Sequence, residues 1–255
     1  KLKTEFVNKS RNEYEERRRE HSAGQLAKKF VTITEARRRG FASDWKNAAV
    51  TKPSFLGARS FPNYDLSKIS EKIDWSPFFQ AWELKGKYPQ ILKHADMGAE
   101  ATRVFNDGQT MLHEIIKKKL LRANAVVGLF PANTVGDDIE VYTDDTRKKI
   151  LTVLHHLRQQ SEQPDGKPYY SNADFIAPKE TGIKDYIGAF AVTAGIGQDE
   201  LVKKYQADHD DYKSIMVKAL ADRLAEAFAE LLHERVRKEF WGYSPDENLD
   251  NDGLI

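Results

Sequence analysis

The chain is 255 residues long, 40% apolar and 31% charged, with a formal net charge of +1 and a mean hydropathy of −0.65. That length holds one large domain, or one domain with an appendage, and excludes a tandem of many modules. No apolar run approaches the ~18 residues that cross a bilayer, and the first residues form no apolar signal core, so no membrane partner is expected and the cytoplasm is the expected compartment. The absence of cysteine removes disulfide scaffolds, cysteine-ligated zinc, iron–sulfur clusters and thiol catalysis.

The charge is unevenly spread. Residues 1–52 carry 14 Lys/Arg and 7 Asp/Glu, so this leader is +7 and the remainder −6. Arg17-Arg18-Arg19 and Arg37-Arg38-Arg39 are interleaved with Glu13, Glu15, Glu16, Glu20 and Glu35. That is the pattern of a solvated helix with i,i+4 pairs more than of a phosphate-tracking patch, and no nucleic-acid partner is expected.

In chain order, residues 4–20 read as a charged helix, Ser22–Gln25 as its break, and Thr34 as the cap of a short turn over Glu35–Arg39. Asn47–Asn63, punctuated by Pro and Gly, reads as a linker. Asp74-Trp75-Ser76-Pro77-Phe78-Phe79 has the grammar of a helix start and predicts a helix through Trp82 to near Gly86. Gly98–Lys119 predicts a long helix with Ala101, Val104, Phe105, Leu112, Ile115 and Ile116 at helical spacing. Ala125–Pro131 has strand length, Gly136-Asp137-Asp138 is turn chemistry, and Ile139, Val141 and Tyr142 resume an extended pattern, which together predict a β-hairpin. Ile150–Leu154 predicts a further strand, Gln160–Thr181 a loop, Tyr186–Thr193 another strand, and Asp210–Phe240 the longest helix, its apolar stripe running from Ile215 to Val236. Helices and antiparallel strands mix irregularly, so the expected class is α+β, an antiparallel sheet with long helices packed around it.

Standard catalytic signatures fail on inspection. Gly195-Ile-Gly197-Gln-Asp-Glu200 lacks the third glycine of a dinucleotide fingerprint. His233-Glu234 is followed at i+4 by Arg237, which breaks the helical zinc-protease motif, and His155-His156 on a strand point to opposite faces. No metal site and no catalytic side chain is predicted. The polar placements that remain are Asp74, which reads either as an N-cap or as a ligand contact, and Glu226 with Asp222 one turn before it on the same helix face. These two carboxylates either receive an ammonium or ribose hydroxyl or pair with Arg223 and Arg235 in a surface network, and the residues alone leave both open.

Long segments resemble the C-terminal activation domain of cobalamin-dependent methionine synthase. They are Ile73-Asp74-Trp75-Ser76-Pro77-Phe78-Phe79, Gly86-Lys87-Tyr88-Pro89, residues 126–133, 155–160, 173–178 and 215–230, and Trp241-Gly242-Tyr243. The resemblance implies that 53–255 is an S-adenosylmethionine-binding activation domain and that 1–52 is the last helix and linker of a preceding cobalamin-binding domain. In that family the domain presents the methyl of S-adenosylmethionine for reductive remethylation of oxidised cobalamin, while flavodoxin or a flavoprotein reductase supplies an electron. The fragment alone is not expected to make methionine. The implied partners are the cobalamin-binding domain of the same enzyme, which holds the cobalamin, and the flavoprotein. Asp74 matches the family aspartate at the methionine or ribose portion of the ligand, and Glu226 a helix glutamate at the same site. Asp222 and Tyr186 are further candidates for lining the site or facing the corrin.

The family pattern continues into a Gly-Ile-Arg-Pro-Ala-x-Gly-Tyr-Pro segment that this chain, ending at Gly253-Leu254-Ile255, does not contain. The expectation is a C-terminally incomplete ligand site. The alternative is a non-catalytic docking or capping module that no longer binds S-adenosylmethionine.

Overall fold

A computed structural model describes residues 2–26, 29–249 and 253. The chain divides into two compact units, Lys1–Val50 with Ala132–Asp185, and Thr51–Pro131 with Tyr186–Ile255.

The second unit holds the larger core. Helix α4 (Gly98–Lys118) buries Ala101, Val104, Leu112 and Ile115 of the expected stripe together with Gly108 and Met111, leaves Phe105 and Ile116 partly buried, and stops at Lys119 in the left-handed region. Helix α6 (Asp211–Arg235) starts at Asp210, whose carboxylate accepts from the Lys213 N–H at 2.9 Å, and buries Met216, Val217, Leu220, Leu224, Ala227, Phe228 and Leu232. Ile215 lies on the exposed side of this helix. The helix read as one piece to Phe240 changes at Val236–Phe240 into a π turn.

Three features of this unit differ from the sequence reading. Residues 77–82 form a 3₁₀ turn in place of an α-helix running to Gly86, because the adjacent aromatics Phe78 and Phe79 are both buried and Glu83 closes the turn in the left-handed region. The stretch read as linker contains strand β1 (Gly57–Phe61), hidden from pattern reasoning because Ala58, Arg59 and Ser60 all face solvent. It pairs antiparallel with β2 (Arg122–Val135), Gly57 opposite Leu129 and Phe61 opposite Ala125. Two short helices were also not anticipated, α3 (Leu66–Ser70), capped by Asp65, and α5 (Gln198–Ala207). Strand β5 (Asp185–Ile196) pairs with β2.

In the first unit, helix α1 (Leu2–Leu26) passes through the predicted break at Ser22–Gln25. Helix α2 (Ile33–Arg38) is capped by Thr32, two residues before the expected Thr34; its hydroxyl accepts from the Glu35 N–H at 3.2 Å. The predicted hairpin is present: Ala132–Val135 of β2 pairs with β3 (Asp138–Tyr142) across Gly136-Asp137, with Gly136 at φ 62°. Strand β4 (Ile150–His155) pairs with β3. The loop after it is fastened by Arg158, which donates to Asp137, to both oxygens of Asp174 and to the Tyr169 carbonyl. His155 pairs with Asp138 at 3.1 Å.

Candidate functional site

Asp74 is exposed, and its Oδ1 accepts from the Ser76 N–H at 2.8 Å, closing a short turn ahead of Pro77. The Ser76 hydroxyl in turn accepts from the Tyr88 N–H at 3.1 Å. Two segments distant in sequence, 74–76 and 86–88, are thereby clasped together. Beside them lies an open cleft of about 810 Å³ lined by Ser76, Pro77, Gln80, Glu83, Lys85, Gly86 and Lys87. In the same segments and α4, Trp75, Phe78, Phe79, Trp82, Tyr88 and Phe105 form a chain of ring contacts at 5.0–6.4 Å, which fixes the backbone that carries Asp74.

The second group of carboxylates is on α6, which packs against the Pro77–Trp82 turn. Asp222 and Glu226 stand one helical turn apart and are both exposed, and Arg223 joins them, donating from Nη2 to Asp222 at 2.7 Å and to Glu226 at 3.0 Å. Of the two arginines the sequence offered as partners, Arg235 is engaged elsewhere, with Glu239 and the Tyr64 hydroxyl. Among the described residues no hydrogen bond or ion pair connects Asp74 with Asp222 or Glu226. Tyr186, at the start of β5, is buried, 3% exposed.

Sequence reasoning missed the Ser76–Tyr88 clasp and the lysines flanking the cleft. The motifs 73–79 and 86–89 were each visible, but a serine side chain that bonds a backbone N–H twelve residues away leaves no periodic trace. Among the described residues there is no group of three or more His, Asp or Glu side chains arranged to hold a metal ion, and no helix is long and apolar enough to cross a membrane.

The family model for the activation domain of vitamin B12-dependent methionine synthase matches residues 65–255. The chain belongs to that family. It is also similar to a solved structure described as the MetH reactivation domain bound to AdoHcy, with 53% sequence identity and a TM-score of 0.85 over 89% of this chain and 69% of that one. The mixed helix and antiparallel-sheet architecture is therefore that of the activation domain. Activation domains are part of a methyltransferase, cobalamin-dependent methionine synthase, and work with its cobalamin domain; the domain alone is not the catalyst of methionine formation.

Proposed function

We propose that this chain binds S-adenosylmethionine and presents its methyl group for reductive remethylation of oxidised cobalamin. The observation that carries the reading is the 53% identity, across most of the chain, to a reactivation domain solved with AdoHcy, the product that S-adenosylmethionine becomes when it loses its methyl. Cobalamin, which a neighbouring domain would hold, would supply the cobalt that accepts the methyl. A flavoprotein, flavodoxin or a flavoprotein reductase, supplies one electron, and the sulfonium leaves as a neutral thioether.

A sulfonium is already a good leaving group, so the protein's contribution is positioning and exclusion of water, with no acid–base step. Exposed carboxylates suit the cationic and hydroxyl-bearing parts of such a ligand. Asp74 and Glu226 hold the cationic and hydroxyl-bearing parts of the molecule, and Asp222, the more exposed of the two α6 carboxylates, lines the site or faces the corrin. Residues 1–52, with their charged helix α1, serve as the connector from the cobalamin-binding domain. The setting is cytoplasmic.

The test is calorimetry of S-adenosylmethionine against this chain and against a version extended through the Arg-Pro-Ala-x-Gly-Tyr-Pro segment, each with and without Glu226→Ala. Binding by either version, weakened tenfold or more by Glu226→Ala, supports the proposal. No heat from either version leaves the non-catalytic docking module as the reading to adopt.

A further inference from the structure

The pair Asp222 and Glu226 has an inverted layout. In an ordinary surface ion pair a long arginine reaches outward over a carboxylate, with its charged head in water. Here Arg223 is recessed, its side chain 10% exposed, while Asp222 and Glu226 are 73% and 60% exposed. Burial works against the charge of the guanidinium, yet the hydrogen bond to Asp222 and the field of Glu226 outweigh it, and its pKa lies above the usual arginine value. The cation is therefore permanent and fixed in place, and the two carboxylates are tethered to it.

Each carboxylate spends one oxygen on the same nitrogen, Oδ2 of Asp222 and Oε2 of Glu226. Their second oxygens, Oδ1 and Oε1, accept no hydrogen bond among the described residues. A free glutamate on a helix surface samples several rotamers, and ordering it on binding costs roughly 0.5–1.5 kcal/mol. A shared buried donor removes that freedom before a ligand arrives. It also trims the formal charge of the group from −2 to −1, the complement of S-adenosylmethionine, whose sulfonium, ammonium and carboxylate sum to +1.

We propose that Arg223 is a positioning residue for S-adenosylmethionine, presetting Glu226 with its Oε1 left for the ligand. The proposal rests on the reading of Glu226 as a ligand contact. It makes a prediction opposite in sign to simple electrostatics. Removing a cation beside the site of a cationic ligand should tighten binding through charge alone, whereas losing the tether should loosen it.

The experiment is a double-mutant cycle by calorimetry with S-adenosylmethionine, in whichever of the two chain versions binds, using Arg223→Met, Glu226→Gln and both together, with a melting curve for each. Arg223→Met is expected to weaken binding tenfold or more, and Arg223→Lys, which keeps a charged donor, to recover to within about threefold of the unaltered chain. On the Glu226→Gln background Arg223→Met should add less than threefold, because its effect passes through Glu226; a merely structural arginine would act equally in both backgrounds. Should Arg223→Met fail to fold, Arg223→Gln takes its place in the same cycle. Equal or tighter binding by the Arg223 variant, with Glu226→Gln still harmful, overturns this proposal alone. A harmless Glu226→Gln overturns the ligand reading beneath it.

Discussion

A Cβ built on Gly108 would lie 2.7 Å from Cζ of Phe78, so helix α4 and the Pro77–Trp82 turn meet at a distance that glycine alone permits. Phe78 is buried and in ring contact with Trp75, Phe79 and Trp82, so it has little room to give way. The segment that carries Asp74 is seated on α4 through this contact.

Gly108→Ala should therefore destabilise the chain although alanine is the better helix former. Overpacking a close-fitted core costs about 1–3 kcal/mol, against roughly 1 kcal/mol regained in helix propensity. Urea unfolding is the measurement. The second variant Phe78→Leu should be less harmful with alanine at 108 than with glycine, since the smaller side chain relieves the clash; additive effects would show that the contact is not the cause.

A similar argument applies at the turn between β5 and α5. Gly197 has φ +101°, and a Cβ there would meet the Leu120 carbonyl oxygen at 2.8 Å. The Gly195-Ile-Gly197 pattern, which invited and failed a dinucleotide reading, is thus a strand-to-helix corner. Gly197→Ala is expected to cost about 1–3 kcal/mol from the backbone conformation, with a further steric part from Leu120. Gly195→Ala, with only ordinary contacts near it, should cost less. Equal losses in thermal unfolding would contradict the assignment.

Arg158 closes the loop of the first unit, its side chain 5% exposed between the nearly buried carboxylates of Asp137 and Asp174. Among the described residues, Arg158→Met leaves Asp174 without a cation and Asp137 with Arg37 alone, and should destabilise by about 3–5 kcal/mol. The sign with pH follows from Asp137. Burial tends to raise its pKa, but the hydrogen bonds from Arg37 and Arg158 prevail and hold it below the usual aspartate value. Its stabilisation is therefore complete above about pH 4, the range of an unfolded aspartate, and is lost as pH falls through the lower folded value. The stability difference between Arg158→Met and the unaltered chain should shrink as the pH of urea titrations is lowered from 7 to 3; a constant gap would show that Arg158 acts by packing.

What could be read from the sequence was what repeats. The stripes of α4 and α6 come from side chains three and four apart, and the hairpin at Gly136-Asp137 from turn chemistry between apolar runs, so both were visible. Strand β1 was not, since its middle residues face solvent and its pairing with Ala125–Leu129 is non-local. The helix expected after Asp74 became a 3₁₀ turn because tertiary packing buried two adjacent aromatics, against the period of an α-helix. At the candidate site the carboxylates were legible as odd placements, Asp74 through the helix-start grammar of an acidic residue ahead of a proline and Glu226 through Asp222 one turn before it on the same face. The tether of Arg223 was only one of two open partners, because i,i+3 spacing does not say which side chain is recessed.

Asp74 has two roles to separate, and two substitutions do so. Its carboxylate accepts from the Ser76 N–H, so Asp74→Ala removes a turn contact worth about 1 kcal/mol as well as a charge. Asp74→Asn keeps an oxygen that can accept the same hydrogen bond and removes only the charge. Asp74→Asn should melt within about 0.5 kcal/mol of the unaltered chain, as surface substitutions do, while its affinity for S-adenosylmethionine falls severalfold or more. Asp74→Ala should show the same loss of affinity together with the lower melting temperature. If Asp74→Asn binds as tightly as the unaltered chain, the carboxylate serves the turn alone and the ligand is held by Glu226 and the residues around it.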